Sequence, residues 1–241
     1  MRTDTVSRHA SLIFYATTPD DCPYLRERRM VSLFADPEGP MDTALYGNLL
    51  QHGFRRSGNH VYRHQCPQCR ACIPYRVPVA GFNPDRGQRR VLKRNAGIAA
   101  TIRDAAFDPV HYRLYAAYVN QRHRGGGMDN PTPDSYLGFV TSQWCRTWLV
   151  EFREQDALLG VAVVDRLPDA LSAVYTFFDP AAQARSLGTL AVLWQIQRAR
   201  EEGLTHVYLG YWNPGSRKMA YKNRFRPGER LVNGIWTAAV T

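Results

Sequence analysis

Apolar positions along the chain follow two rhythms, one of period two and one of period three to four. Short apolar runs bounded by turn residues predict strands at residues 11–17, Val61–His64 and Ile73–Val79. Asp42 can cap a helix that carries Leu45, Tyr46, Leu49 and Leu50 on one face and stops at Gly53. A short basic helix, Arg89–Asn95, leads to Gly97. Asp108-Pro109 sets a second N-cap with proline at the first helical position, and Val110, Leu114, Ala117 and Tyr118 keep helical spacing behind it. After a polar loop at Gln121–Met128, strand-like runs cover Trp148–Arg153, Gly160–Asp165 and Ser172–Phe178. Leu187, Leu190, Ala191 and Trp194 then mark an amphipathic helix ending at Gly203. A strand at Thr205–Trp212, a helix at Arg217–Phe225 and a last strand at Val232–Val240 complete the pattern. No internal repeat interrupts it.

Cysteine placement adds a metal-site expectation. Cys66, Cys69 and Cys72 form a C-x-x-C-x-x-C run, and Cys22 lies in the turn after the first strand. Thiolates two residues apart on a tight turn can converge on one ion, and a fourth closes the shell. With Val61–His64 and Ile73–Val79 on either side, the run reads as a zinc-knuckle-like hairpin in a cysteine-bearing unit of residues 1–80, followed by a second unit of residues 81–241. The bland alternative is a group of buried free thiols; Cys145 reads as a buried bystander. The seven histidines (His9, His52, His60, His64, His111, His123 and His206) form no H-x-x-x-H pair. His64 can stand in for one sulfur ligand, and His123 sits in the glycine-rich loop.

Composition narrows the class. The 241 residues, 44% hydrophobic and 22% charged, suit one large or two modest globular units. No apolar run is long enough to span a bilayer, and Met1-Arg2-Thr3-Asp4 opens no signal-peptide core, so a cytosolic location is expected. There, clustered cysteines are ligands or redox centres more often than disulfides. A net charge of +10 favours polyanionic partners, nucleic acid first. The charge gathers at Arg86–Asn95 and at Arg217–Arg226, the second run carrying Tyr221 and Phe225 among its cations.

Three meandering strands, a helix, a strand, a helix and a final strand is the order of the GNAT acyltransferase fold. The expected class is therefore α+β, a mixed sheet flanked by helices beside a smaller cysteine-bearing unit. Longer strings are more specific. They include Phe14-Tyr15-Ala16 with Cys22-Pro23-Tyr24-Leu25, the Cys66–Cys72 turn, Gln88–Asn95, Ala173–Pro180, Ser186–Thr189, Tyr208–Trp212 and Lys218–Pro227. On these, from about residue 11 to 236, the chain resembles the bacterial aspartate/glutamate leucyltransferases, relatives of the arginyl-tRNA–protein transferases. The resemblance implies a cytoplasmic enzyme that moves leucine from leucyl-tRNA to the N-terminal amine of proteins beginning with Asp or Glu, marking them for the N-degron pathway. It requires no cofactor for transfer. It also implies a possible iron–sulfur cluster or zinc ion at Cys22, Cys66, Cys69 and Cys72, although the cysteine arrangement differs from that of the arginyl relatives.

The chemistry asks little of a nucleophile. An aminoacyl ester is already activated, and an α-amine of pKa about 8 keeps a usable neutral fraction at pH 7. Positioning, an oxyanion donor and a proton for the leaving ribose oxygen are what remain. Tyr175, Tyr211 and Tyr221 are the candidate donors, although strand tyrosines are ordinarily packing residues. An acceptor carboxylate and the RNA call for cations, and the candidates are Arg89, Arg90, Arg94, Lys218, Lys222 and Arg224. Phe177 or Trp194 are candidates for a leucine pocket and equally good core residues. Three other readings compete: transfer of arginine, an acetyl-CoA-dependent N-acetyltransferase, and a non-enzymatic zinc-knuckle RNA-binding protein. Against coenzyme A, Arg185-Ser186-Leu187-Gly188-Thr189-Leu190 places leucine where a small pyrophosphate-binding residue belongs.

Overall fold

The computed structural model describes residues 12–122 and 129–239; expectations for His9, Ser11, the loop from His123 to Met128 and Val240 lie outside these residues. The chain begins with β1 (Phe14–Ala16), β2 (Asp20–Asp21), β3 (Arg29–Met30), β4 (Ser32–Ala35), α1 (Thr43–Gln51), β5 (Arg55–Ser57) and β6 (His60–His64). It continues with β7 (Ile73–Pro78), α2 (Arg86–Arg94), β8 (Ala99–Asp104), α3 (Pro109–Arg122), α4 (Pro133–Val140), β9 (Thr147–Glu154), β10 (Ala157–Arg166) and β11 (Ala170–Phe178). A 3-10 segment at Pro180–Arg185 leads into α5 (Leu187–Glu201) and β12 (His206–Trp212). A second 3-10 segment, Ala220–Arg224, precedes β13 (Glu229–Val232) and β14 (Ile235–Ala238).

The architecture is mixed α+β. The large sheet has the order β14-β13-β7-β12-β11-β10-β9-β8, and a smaller one has β1-β4-β6-β5. Adjacent residues of β10 supply opposite faces: Ala162 and Val164 join the core under α5, while Val161 and Val163 join the core under α3 and α4. Helix α5 buries Leu187, Leu190, Ala191, Val192, Leu193, Ile196 and Ala199. Each large aliphatic side chain so buried contributes about 1.5–3 kcal/mol, which anchors the helix to its face.

Several local expectations are met by the backbone. The Asp42 side chain accepts from the Leu45 N–H at 2.7 Å and starts α1, and Gly53 adopts φ +83° at its end. Others are corrected. The strands beside the cysteine run do not pair with each other: β6 lies in the small sheet and β7 between β13 and β12 in the large one. Thus β7, drawn from the first 80 residues, is an inner strand of the sheet built mainly by the rest. Gln121 and Arg122 are the last turn of α3, not loop, and its buried face is His111, Tyr115, Tyr118 and Val119. The helix is rotated relative to the expected stripe because His111 bonds Glu151 at 2.8 Å and the tyrosine rings pack on Phe177 and Phe178. The expected helix at Arg217–Phe225 is only the 3-10 turn Ala220–Arg224. The last expected strand is a hairpin, β13 and β14, turned by Asn233 and Gly234 at φ +51° and +79°.

Candidate active site

Among the described strands of the large sheet, β11 and β12 pair in parallel, and their ladder covers only Ala170↔His206 to Ser172↔Tyr208. Beyond it the strands part toward their carboxyl ends, where open α/β sheets ordinarily bind ligands. Arg55, the first residue of β5, fills this fork. Its Nη2 donates to the Val174 carbonyl of β11 at 3.2 Å. On the β12 side stands Gly210, where a Cβ would lie 3.0 Å from Arg55 Nη1. Gly210 has φ +73° and sits where the β12–β7 register shifts between Tyr208 and Tyr211. A glycine is needed there twice, for the backbone and for the approach of the guanidinium.

A second cation enters from the Ala220–Arg224 turn. Lys222 is 7% exposed, and its Nζ donates to the Tyr211 carbonyl at 2.6 Å. Burial, helped by the charge of Arg55 and opposed by Cys72, pulls its pKa down to about 7. The nearest electrostatic neighbours of Arg55 include the phenols of Tyr62, Tyr24 and Tyr211. Burial, foremost, pushes the Tyr24 phenol up to about 12, so it is neutral at pH 7. Neither Arg55 nor Lys222 has an ion pair with a carboxylate among the described residues, and Arg55 Nε is buried without a hydrogen-bond partner.

The structure brings Tyr175, Tyr211, Tyr221 and Lys222 to this fork. Tyr211 is 2% exposed; its hydroxyl donates to the Gly53 carbonyl at 2.9 Å and accepts from the His64 N–H at 3.2 Å. That hydroxyl has no second proton to offer a substrate, so Tyr211 is a structural tie that also presents its carbonyl to Lys222. Tyr221, 37% exposed, lies at the rim and feels the charges of Arg122 and Arg55. The Tyr175 ring is 6.3 Å from that of Tyr118, whose face carries the Arg122 guanidinium at 5.9 Å. Burial raises the Tyr175 pKa, so it stays a protonated phenol.

The remaining cations lie outside the fork. Arg89, Arg90 and Arg94 are exposed on α2 with Arg86 and Lys93, a nine-residue helix without a carboxylate. Its ends clasp two loops: the Gln88 side chain donates to the Arg224 carbonyl at 3.0 Å, and Asn95 Nδ2 to the Arg185 carbonyl at 2.9 Å. Lys218 and Arg224 are exposed on the first of these loops. Phe177 is fully buried between α3 and α4, and Trp194 packs edge-on against Phe152, so both serve the core.

The four cysteines face one cavity of about 540 Å³, which Tyr24, His64 and Tyr211 close on the side of the fork. Burial pushes the Cys72 thiol up to about 11; the Asn213 amide, donating to its sulfur from 3.5 Å, opposes this, and the other three cysteines add to it. Four sulfur donors around one cavity are the ligand type of a thiolate-bound ion or cluster, and binding one would require each thiol to give up its proton. As the chains stand, no three His, Cys, Asp or Glu side chains among the described residues are drawn together closely enough to hold an ion. His64 is half-buried, with Nδ1 3.2 Å from Ser32 Oγ; burial and then Arg55 lower its pKa to about 4, so its ring is neutral.

Sequence reasoning passed over Arg55, Tyr24, Tyr62 and Tyr118. A signal was present: Arg55-Arg56 in a strand must send one guanidinium to each face.

Comparison with known proteins places the chain. The profile described as "Arginine-tRNA-protein transferase, C terminus" matches residues 110–232, and its N-terminal counterpart matches residues 20–90. An aspartate/glutamate leucyltransferase of Marinobacter nauticus is 47% identical over 96% of this chain and 98% of its own. That of Pseudomonas aeruginosa is 49% identical over 95% and 97%, and that of Thiobacillus denitrificans 51% over 93% and 94%. Among solved structures the likeness is distant. The C-terminal domain of a lysylphosphatidylglycerol synthetase from Agrobacterium fabrum, described as putative, aligns over 59% of this chain and 47% of its own with TM-score 0.45 at 16% identity. FemX aligns over 70% and 60%, with TM-score 0.43 at 9%. With both profiles in chain order and near-half identity over almost the whole length, the chain belongs to the arginine-tRNA–protein transferase family, on its aspartate/glutamate leucyltransferase branch.

Proposed function

We propose that this protein transfers leucine from leucyl-tRNA to the N-terminal amine of proteins that begin with Asp or Glu. The observation that carries the reading is the fork between β11 and β12, where a half-buried arginine, a buried lysine and protonated phenols meet. The acceptor amine attacks the ester carbonyl, a C–N bond forms, the C–O bond to ribose breaks, and the amine's proton ends on the departing oxygen. Tyr221 at the rim and Tyr175 deeper in are the hydroxyls assigned to steady the oxyanion and return that proton. The run β9-β10-β11, helix α5, parallel strand β12 supports a GNAT-like acyltransferase reading of the fold. No helix of the described residues is long and apolar enough to cross a membrane. A cytoplasmic location and marking of the acceptor for the N-degron pathway go with the proposed reaction.

Helix α2 is the assigned track for the RNA. Arg86 and Arg90, Arg89 and Lys93, and Arg90 and Arg94 are like charges one turn apart, each pair costing about 0.2–0.5 kcal/mol in an isolated helix. A helix that carries this repulsion gains when phosphates lie along it. Cys22, Cys66, Cys69 and Cys72 would hold a zinc ion or an iron–sulfur cluster that braces the cavity wall, with Arg28, Arg63 and Arg70 beside it to balance thiolate charge.

Coenzyme A is disfavoured by a specific contact. Arg185, just before α5, is gripped by both oxygens of Glu154 at 2.8 Å and by Asn95 at 3.0 Å. An arginine already held by that carboxylate is not free to bind a pyrophosphate at the helix start. The test is direct: leucyl-tRNA with a peptide starting in Asp yields leucyl-peptide, and a peptide starting in Ala yields none. Transfer from arginyl-tRNA instead, or from acetyl-CoA without RNA, overturns the reading.

A further inference from the structure

The fork holds two basic groups that have no carboxylate partner among the described residues. Arg56 has Asp165, and Arg76 has Glu229 at 2.6 Å. Arg55 instead spends one N–H on the Val174 carbonyl, and Lys222 one on the Tyr211 carbonyl. The neighbours of Arg55 include the phenols of Tyr24 and Tyr211, whose pKa values burial raises so that they bring no negative charge at pH 7, and Lys222 also has Cys72 near it. Holding a buried lysine and a half-buried arginine this way is unfavourable unless an anion arrives from outside.

We infer that Arg55 and Lys222 form the seat for the side-chain carboxylate of the acceptor's first residue, and so decide its preference for Asp and Glu. This rests on the proposed leucyl-transfer reading and adds the residues that read the acceptor. The shape of the site selects a carboxylate over a phosphate of the RNA. The fork is narrow, walled by Tyr211 and Gly210 and set behind the rim residue Tyr221, whereas the exposed cations for a polyphosphate chain lie on α2. Arg55 supplies a planar fork of donors held against β11 and β12. Lys222 supplies a point charge on a flexible stem, which adjusts to the one-methylene difference between Asp and Glu. A carboxylate seated between them leaves the α-amine, three bonds from the carboxyl carbon in Asp and four in Glu, toward the tyrosine-lined mouth.

The test compares Asp-, Glu- and Asn-initiated peptides at saturating leucyl-tRNA in wild type, Arg55→Gln and Lys222→Met. The Asp-to-Asn ratio of kcat/KM is expected to fall by roughly two orders of magnitude in Arg55→Gln, because a site built to pair a group discriminates by that pairing. The leucyl-tRNA KM should not move. Lys222→Met, which removes a buried charge, gives the same collapse and serves if Arg55→Gln folds poorly. An unchanged ratio in both variants, or a loss expressed as a higher leucyl-tRNA KM, overturns the seat. Wild type that transfers nothing to the Asp peptide removes the leucyl-transfer reading and the seat with it. Wild-type transfer with unaltered variant ratios removes the seat alone.

Discussion

Arg55 and Arg56 are neighbours on one short strand and meet opposite fates. Arg56 is fully buried with Asp165: Nε and Nη2 donate to the carboxylate at 2.7 and 2.6 Å, Nη2 also to Thr147 Oγ1 at 3.0 Å, and Nη1 to the Gly58 and Thr141 carbonyls at 3.1 Å each. Thr147 in turn donates to Asp165 at 2.8 Å, so the network is closed. Among the described residues Arg55 makes one hydrogen bond, to Val174, and its Nε has no partner. One arginine is a staple that ties β5 to β10; the other is held ready. The difference between the side chains lies in their partners, since residue type, strand and flanking sequence are shared.

Breaking the staple should have the largest effect on stability. Arg56→Leu strands the Asp165 carboxylate in the core and is expected to cost about 3–5 kcal/mol, read from the denaturant midpoint. Replacing Asp165 with Leu as well should recover much of the loss, as a hydrophobic pair has no charge to satisfy.

Lys222→Met should move stability the other way. The folded state holds Lys222 near pKa 7, below its ordinary 10.5. Between those values the unfolded chain binds a proton that the folded chain has released, so wild-type stability at this site rises with pH across that window. The methionine variant is therefore most stabilised, relative to wild type, below about pH 7 and least near pH 10.5. Thermal melts from pH 6 to 10 check the sign; a gain that grows with pH would contradict it.

Gly210→Ala combines both regions' logic. The positive φ costs an alanine about 1–2 kcal/mol, and the new methyl group pushes the Arg55 guanidinium from its place. Lower stability together with a weaker Asp-to-Asn discrimination is the expected pair of readings. Arg55→Gln should disturb stability least, by under about 1 kcal/mol, because it breaks no closed network. A loss as large as that of Arg56→Leu would show that Arg55 is a second staple.

Much of the order of elements could be read from periodicity and caps. Asp42, Asp108-Pro109 and the Leu187–Trp194 stripe locate three helices because a cap or a long apolar face is a local property. Two elements escaped despite local signals. Helix α4 opens with a capping box, Thr132 and Ser135 bonding reciprocally, and the β13–β14 hairpin turns on Asn-Gly. Strand β8 gave little signal, since Ala99–Asp104 is half exposed at the sheet edge. The site was legible in its cations and tyrosines but not in its centre. Tyr221 and Lys222 stand out in a basic aromatic run, whereas Arg55 lies 119 residues from the carbonyl it touches.

The chain's own pattern of residues determined the helix starts, the three-strand meander, the polyanion-seeking charge and the family, because each depends on nearby side chains or on long shared strings. Tertiary structure alone decided that β7 enters the large sheet, that Cys22 faces the same cavity as the Cys66–Cys72 run, and that Arg55 rather than Arg56 fills the fork. Which of two adjacent guanidiniums finds a carboxylate depends on strands more than a hundred residues away, and local sequence carries no record of that meeting.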